Sequence, residues 1–449
     1  MTGGVPMFNW NKQAAVAVPL AALLAVLPAC GGAEKPGSRD KGAEASGEAA
    51  KKPDPFTMTI YAAGVKKEEF DSRFRGALEK KFPHITFDYQ TSDQGNSITE
   101  KVARGEIPDI IRTDTPTMKT GYLDLQLGYD LREMVGKYKY DLNRFVPSFI
   151  QDNVDAGQTG ALYGLPVPPY FPSVLYYNKD LFDKFGVAYP KDGMSWNEVY
   201  DLVVKLTRVE GGKVIRGFST NLIAQLRDNP FSLPILDPQK DGLADQTKWK
   251  TIFDNFKRFH DIPNNGVQNT FALENALFTK GEAAMYLGQH SIYLVIPPEV
   301  NWDIVSVPTI DGAPKRMGQR SPAYWSITQQ SKHKDEAFQV IAEMLSDEVQ
   351  MQDSRNGILT TLTNKNVRDA LGKGHPVYST KNMKALTLYE PTDPTPKRAP
   401  GKVNVSGSTQ ETIIWQSFVK AAQGQLDVNS VLREADELLK QAVEKERGK

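Results

Sequence analysis

The sequence predicts an α/β protein of two domains, each a β-sheet flanked by helices. Three observations carry this. Runs of β-branched and aromatic residues alternate with runs of helical apolar spacing, the pattern of a sheet covered by helices. The body from Phe56 to Lys449 is longer than one hydrophobic core usually serves. Between two α/β regions lies the segment Gly164 to Pro172, whose four prolines make it extended and stiff, as a crossover between domains would be.

Taken in order, Phe56 to Ala62 reads as a strand. Glu68 to Phe82 carries Phe70, Phe74, Leu78 and Phe82 at helical spacing, and Ile85 to Tyr89 alternates again, completing a β-α-β unit. Ile98 to Arg104 reads as a short helix and Pro108 to Ile111 as a buried third strand. Ligands of open α/β sheets sit beyond the carboxyl ends of strands, here Tyr61 to Val65 and Thr113 to Thr117. The second region runs from about Ser173 to Val307. Its clearest helix, Trp196 to Leu206, is announced by Ser195 as N-cap and Glu198 three residues on. The chain ends in helices at His333 to Ser346, Thr409 to Ala422 and Val428 to Lys445, with a long irregular surface segment predicted from Val377 to Ser408.

Ahead of the body, Ala14 to Ala29 is uncharged and rich in Ala, Val and Leu, follows Lys12 and is interrupted by Pro19 and Pro28. It is shorter than the roughly 20 apolar residues of a membrane-spanning helix and has the order of a secretory signal peptide. Leu27-Pro28-Ala29-Cys30-Gly31 resembles the bacterial lipoprotein box, in which the cysteine is acylated and becomes the first mature residue. An ordinary signal peptide with a chance cysteine is the alternative. Cys30 is the only cysteine, so no intrachain disulfide can form. Gly31 to Pro55, without an aromatic residue, reads as a flexible tether.

Composition excludes several function classes. Lys+Arg and Asp+Glu balance at 54 each, and binding a phosphate backbone needs a basic excess, so no nucleic-acid partner is expected. The five histidines stand singly at 84, 260, 290, 333 and 375, with no ligand pair, so neither a metal site nor a cofactor is predicted. No Walker loop, G-x-S-x-G elbow or G-x-G-x-x-G fingerprint occurs. Asp237 to Gly242 has a faint calcium-loop look, but a plain turn suits it better. Acidic pairs such as Glu68 with Glu69 or Asp183 with Asp192 leave open a glycosidase using two carboxylates, although solvated helix faces and turns explain them more simply. Aromatic residues in predicted loops and strand ends stand out: Tyr61, Tyr170 with Phe171, Tyr324 with Trp325, and Trp415 at a helix start. Each alone suits core packing. Together they have the composition of a carbohydrate cleft, where flat rings face the C–H surface of a sugar and nearby amides and acids take its hydroxyls.

An ordered set of motifs then becomes informative. Tyr163-Gly164-Leu165-Pro166 is followed by Leu175-Tyr176-Tyr177-Asn178-Lys179-Asp180-Leu181-Phe182, by Gly186-Val187 and by Ser195-Trp196-Asn197-Glu198. Gly105 to Ile110, Phe278 to Met285 and Tyr324 to Ile327 extend the series. The chain resembles the extracellular solute-binding proteins of family 1, the sugar-binding group that contains maltose-binding protein and serves ABC importers. The resemblance implies a two-lobed periplasmic-binding-protein-like fold joined by a multi-strand hinge, with residues 56–168 and 318–375 in the N-terminal lobe and 169–317 and 376–449 in the C-terminal lobe. It implies ligand contacts from Tyr61, Val65, Asp114, Tyr170, Phe171, Gln289, His290, Tyr324, Trp325 and Trp415, with no catalytic residue. The expected partners are a mono- or oligosaccharide and membrane permease subunits. The protein itself would be a monomer held at the outer face of the cell membrane by the Cys30 lipid. Many relatives have Asn-Gly-Pro-Trp where this chain has Gly288-Gln289-His290-Ser291, so a stacking tryptophan is replaced by polar groups. Arg112 stands where relatives often carry an apolar residue, which leaves an acidic sugar possible. A non-sugar solute such as a peptide or polyamine is the further alternative.

Overall fold

The computed structural model describes residues 54–93 and 95–448. Cys30, the apolar segment before it and the tether as far as Pro53 lie outside the described residues. The strands are β1 (Phe56–Ala62), β2 (Ile85–Thr91), β3 (Ile110–Thr113), β4 (Leu165–Val167), β5 (Phe171–Asn178), β6 (Arg208–Glu210), β7 (Lys213–Thr220), β8 (Ala283–Gln289), β9 (Trp302–Ser306), β10 (Gln319–Arg320) and β11 (Ala323–Ile327). They form two sheets. The first has the order β2-β1-β3-β11-β4, with β1, β2 and β3 parallel and β11 antiparallel to both its neighbours. The second has the order β10-β5-β8-β7-β6, and β9 pairs with β5. Each sheet with its helices makes one lobe of an α/β fold.

The expected β-α-β start is present. β2 alternates buried Ile85, Phe87 and Tyr89 with exposed Thr86 and Asp88. Phe70, Phe74 and Leu78, spaced by four, bury one helical face over 67–81, which passes through a π-helical turn at Asp71–Arg75. The helix Trp196–Leu206 begins as predicted: Ser195 Oγ accepts from the Glu198 amide, and the Glu198 carboxylate accepts from the Ser195 amide. Two boundaries differ from expectation. β3 starts at Ile110, two residues later than predicted, after Pro108, which has no amide donor to give a ladder. The helix expected from His333 to Ser346 is Lys334–Met344, and Ser346 caps a further helix, Asp347–Arg355, by accepting from Val349 N.

The chain passes between the sheets twice, each time within a few residues. β4 ends at Val167 and β5 begins at Phe171, across a cis Pro168–Pro169 bond. β10 ends at Arg320 and β11 begins at Ala323. The two crossings run antiparallel side by side, with Arg320 opposite Phe171 and Ala323 opposite Val167. Two glycines permit this closeness. A Cβ on Gly164 would lie 2.7 Å from the Tyr324 Cβ, and one on Gly318 only 1.9 Å from the Asp228 carbonyl oxygen. Arg73 anchors the first crossing. Its guanidinium donates to Asp353 at 2.7, 3.0 and 3.2 Å, to Glu69 at 2.8 Å and to the Pro168 carbonyl at 3.0 Å.

Each sheet has its own apolar core, one around Phe70, Phe74, Trp325 and Phe338, the other around Trp196, Phe218, Trp249 and Phe418. A further cluster spans the crossing, joining Val146, at the N-cap of the helix Pro147–Gly157, and Phe149 within it to Tyr170, Val174, Tyr176 and Tyr378. As expected, residues 377–406 are largely irregular, with 3-10 turns at Tyr378–Thr380 and Met383–Thr387.

Candidate functional site

The carboxyl ends of β1 and β3 lie level, Ala62 opposite Arg112, and open toward the crossing strands. The residues predicted for the site divide into three groups. Tyr61, Tyr170, His290, Tyr324 and Trp325 are each no more than 2% exposed. Tyr61, Tyr324 and Trp325 stand on strands, not in loops, because β1 and β11 run on to those positions. Tyr61 packs with Ile111, Met118 and Tyr122 beside the sheet, Tyr170 packs on Phe149 with ring centroids 4.9 Å apart, and the Tyr324 hydroxyl donates to the Phe149 carbonyl at 2.9 Å. Val65, Asp114, Phe171 and Gln289 are partly exposed. Trp415 lies inside the helix Gly407–Ala422, not at its start, and packs partly against the second lobe's core.

On the second lobe's wall, Gln289 belongs to a polar cluster. Its Nε2 lies 3.3 Å from Asp228 Oδ2, and Asp228 in turn accepts from Arg227 at 2.8 and 2.6 Å. Glu411 is 3.6 Å from the same guanidinium. Burial works against the Arg227 charge, yet the bond to Asp228 and the nearby Glu411 outweigh it and raise its pKa above the ordinary value. Phe171 and His290 meet with ring centroids 5.5 Å apart. Burial lowers His290 to about 3, so its ring is neutral at neutral pH and acts as a flat, weakly polar surface.

On the first lobe's side, one face of the helix Pro147–Gly157 carries Ser148, Asp152 and Asn153. Asp152 is 3% exposed and reaches Lys397 at 3.1 Å, while Lys397 sits on the segment that Arg398 ties to Asp237 and Asp241 of the second lobe. Gln158 Nε2 adds a bond of 3.4 Å to the Arg398 carbonyl. Ser148 Oγ, Asp152 Oδ2 and Asn153 Nδ2 are buried without a partner, which costs free energy unless a ligand or water completes them.

Above the other face of the first sheet is a hollow lined by Val65, Arg112, Pro168, Pro169 and Trp325, with room for about one water-sized group (20 Å³). A larger cavity of 250 Å³ lies elsewhere, at the start of the Trp196–Leu206 helix on the second lobe, lined by Asn197, Asn255 and Arg258. Sequence reasoning missed Asp152, Arg227, Asp228, Lys397 and Glu411. No motif marks them, since each gains its role from a neighbour distant in sequence or from the end of a short helix.

The acidic pairs considered as acid and nucleophile are engaged elsewhere. Asp183 accepts from the Tyr189 hydroxyl at 2.6 Å, Asp192 from the Ser306 amide at 2.7 Å, and Glu69 from Arg73. The loop at Asp237 to Gly242 closes around the Arg398 guanidinium, which donates to the Asp237 and Lys240 carbonyls and the Asp241 carboxylate. Among the described residues no group of three His, Cys, Asp or Glu is placed to hold a metal ion, and no helix is long and apolar enough to cross a membrane.

The family profile of bacterial extracellular solute-binding proteins matches residues 61–351. This chain belongs to that family. Its members and structural neighbours are binding proteins of ABC transporters. The chain is 24% identical over 225 residues to the sn-glycerol-3-phosphate-binding periplasmic protein of Brucella abortus, covering 47% of this chain and 50% of that one. It thus spans about half the length of the curated relatives it matches. Among solved structures it is similar to an ABC substrate-binding protein of Listeria monocytogenes in complex with cycloalternan (18% identity, TM-score 0.64, covering 86% and 99% of the two chains). It is also similar to a sugar transporter protein of Rhizobium etli in an open conformation (19%, 0.66, 86% and 99%) and to the sugar-binding protein MalE of Xanthomonas citri (18%, 0.64, 87% and 98%). At these identities the structural likeness establishes the two-lobed fold.

Proposed function

We propose that the protein captures a mono- or oligosaccharide between its two lobes and passes it to the permease of an ABC importer, without covalent chemistry. The observation that carries this reading is the set of polar groups beside the crossing. Near the crossing, Gln289 donates to Asp228 beside the second sheet, and on the helix Pro147–Gly157, which joins the cluster spanning the crossing, the buried atoms Ser148 Oγ and Asp152 Oδ2 lack partners. Acids, amides and a flat ring are the groups that hold sugar hydroxyls and C–H faces. Relatives named for cycloalternan and mannotriose complexes support the saccharide class.

The lobes comprise residues 56–168 with 323–375 and residues 169–320 with 376–448, the second boundary lying after β10 because that strand pairs with β5. Of the ten residues predicted from sequence, Val65, Asp114, Phe171, Gln289 and Trp415 are partly exposed and so able to meet a ligand directly, while Tyr61, Tyr170, His290, Tyr324 and Trp325 are buried. Those five shape the walls. Cys30 carries the lipid that holds a monomeric receptor at the outer face of the cell membrane, close to its permease. A ligand touching both lobes drives their closure, because contact with one alone would shift no equilibrium.

Thermal-shift screening of the full chain against neutral and acidic saccharides tests the proposal. A binding sugar raises the melting temperature by mass action. No shift with any saccharide contradicts the proposal, as does release of reducing ends from an oligosaccharide that binds. The Brucella relative's name favours one second reading, a polyol phosphate as the solute, and sn-glycerol 3-phosphate belongs in the same screen.

A further inference from the structure

The hollow beside β3 has a chemistry of its own. Arg112 is partly buried on the face of β3 that meets Tyr89 and Trp325, and it makes no hydrogen bond or ion pair among the described residues. Trp325 is 2% exposed, and its indole Nε1–H is buried without a partner. The Tyr89 hydroxyl is already committed to the Val65 carbonyl at 3.2 Å. Glu69, at the exposed rim, is claimed by Arg73, whose other donors are spent on Asp353 and Pro168. Glu69 gives only one of its carboxylate oxygens to Arg73, and Arg112 is the cation lining the hollow that no carboxylate engages among the described residues. Burial lowers the pKa of the Arg112 guanidinium, and Glu69 and Asp114 only partly compensate. A cation withdrawn from water without a partner is costly, and an anionic oxygen is the group that relieves it.

Resting on the saccharide-receptor reading, we propose that this hollow is a subsite for the carboxylate of an acidic sugar, received by Arg112. The space admits about one water-sized group, so one carboxylate oxygen enters while the rest of the sugar stays outside in the cleft. A charge-assisted bond from the guanidinium to that oxygen is stronger than one to a hydroxyl. The hollow lies at the carboxyl ends of β1 and β3, so the ring attached to that carboxylate would face Asp114 and the crossing strands.

Calorimetric titration of the full chain with matched pairs, glucose against glucuronate and galactose against galacturonate, tests the subsite. The wild type should bind at least one acid tenfold or more tighter than its neutral partner. Arg112→Gln should erase that preference. A neutral sugar that binds as tightly as its acid, or an acid preference that survives Arg112→Gln, overturns the subsite and leaves the saccharide reading standing. If no sugar of either kind binds, the wider saccharide screen decides the saccharide reading, and acetate and inorganic phosphate titrations decide the subsite alone. Arg112-dependent binding of acetate supports it. Phosphate alone, or neither anion, overturns it. Unliganded melting curves check folding, and Arg112→Gln should melt no lower than wild type, since it removes an unpaired charge.

Discussion

Arg73→Leu is the perturbation from which the architecture predicts the largest effect. The Arg73 and Asp353 side chains are 8% and 4% exposed, so the pair is shielded from water and salt. Removing the guanidinium cancels three bonds to Asp353, one to Glu69 and one to the Pro168 carbonyl, and leaves the Asp353 carboxylate buried with no cation. Breaking a buried pair from one side costs about 3–5 kcal/mol, mostly from the stranded charge. At about 2.1 cal/mol/K per residue, a body of roughly 390 residues has an unfolding entropy near 0.8 kcal/mol/K, so the melting temperature should fall by roughly 4–6 °C. Calorimetry of Arg73→Leu, Asp353→Leu and the double variant Arg73→Leu/Asp353→Leu measures it. The double variant, which strands no charge, should lose less than either single one. A single-variant loss under about 1 °C, or a double variant that loses the sum of both, would refute the reasoning that the pair is one buried unit.

Glu274, 2% exposed, is raised by burial from 4.5 to about 7, so the folded state holds its proton where the unfolded chain has released it. Its contribution to stability is greatest below pH 4.5 and is lost as pH climbs to 7, by about 3 kcal/mol. Glu274→Gln should therefore raise the melting temperature at pH 8 and change it little at pH 4.5, as melts at the two pH values would show. His260 and His290 act in the opposite sense, since burial lowers them to about 4 and 3. Their neutral forms support the fold above pH 6.5, and urea titrations should find that support lost as pH falls from 6.5 through 4. Gly318→Ala places a methyl 1.9 Å from the Asp228 carbonyl oxygen and should cost about 1–3 kcal/mol in a denaturant titration.

The fold was legible where local chemistry and tertiary demand agree. Ser195 and Glu198 announce a helix, and both capping bonds form. Gly164, read as one letter of a motif, sits where a side chain would collide with Tyr324 and Ser326. The π-helical turn at Asp71–Arg75 and the helix begun by Ser346 escaped notice because spacing alone does not show where a helix is widened or restarted. The site was less legible. Tyr324 and Trp325 are sequence neighbours, but strand geometry turns one toward the helix Pro147–Gly157 and the other toward Arg112 and Phe74. Aromatic content drew attention to strand ends and crossings, where Tyr61, Tyr170, Tyr324 and Trp325 are buried. The polar partners, Asp152 with Lys397 and Asp228 with Gln289, meet only because the crossing strands bring distant segments together.

Hydrogen exchange of the full chain with and without a saturating saccharide most directly tests whether one ligand is held by both lobes. The account predicts added protection both at residues 61–65 and 112–115 and at residues 226–229 and 287–291, because closure buries both walls. Protection confined to one of these sets, with calorimetry confirming saturation, would contradict it.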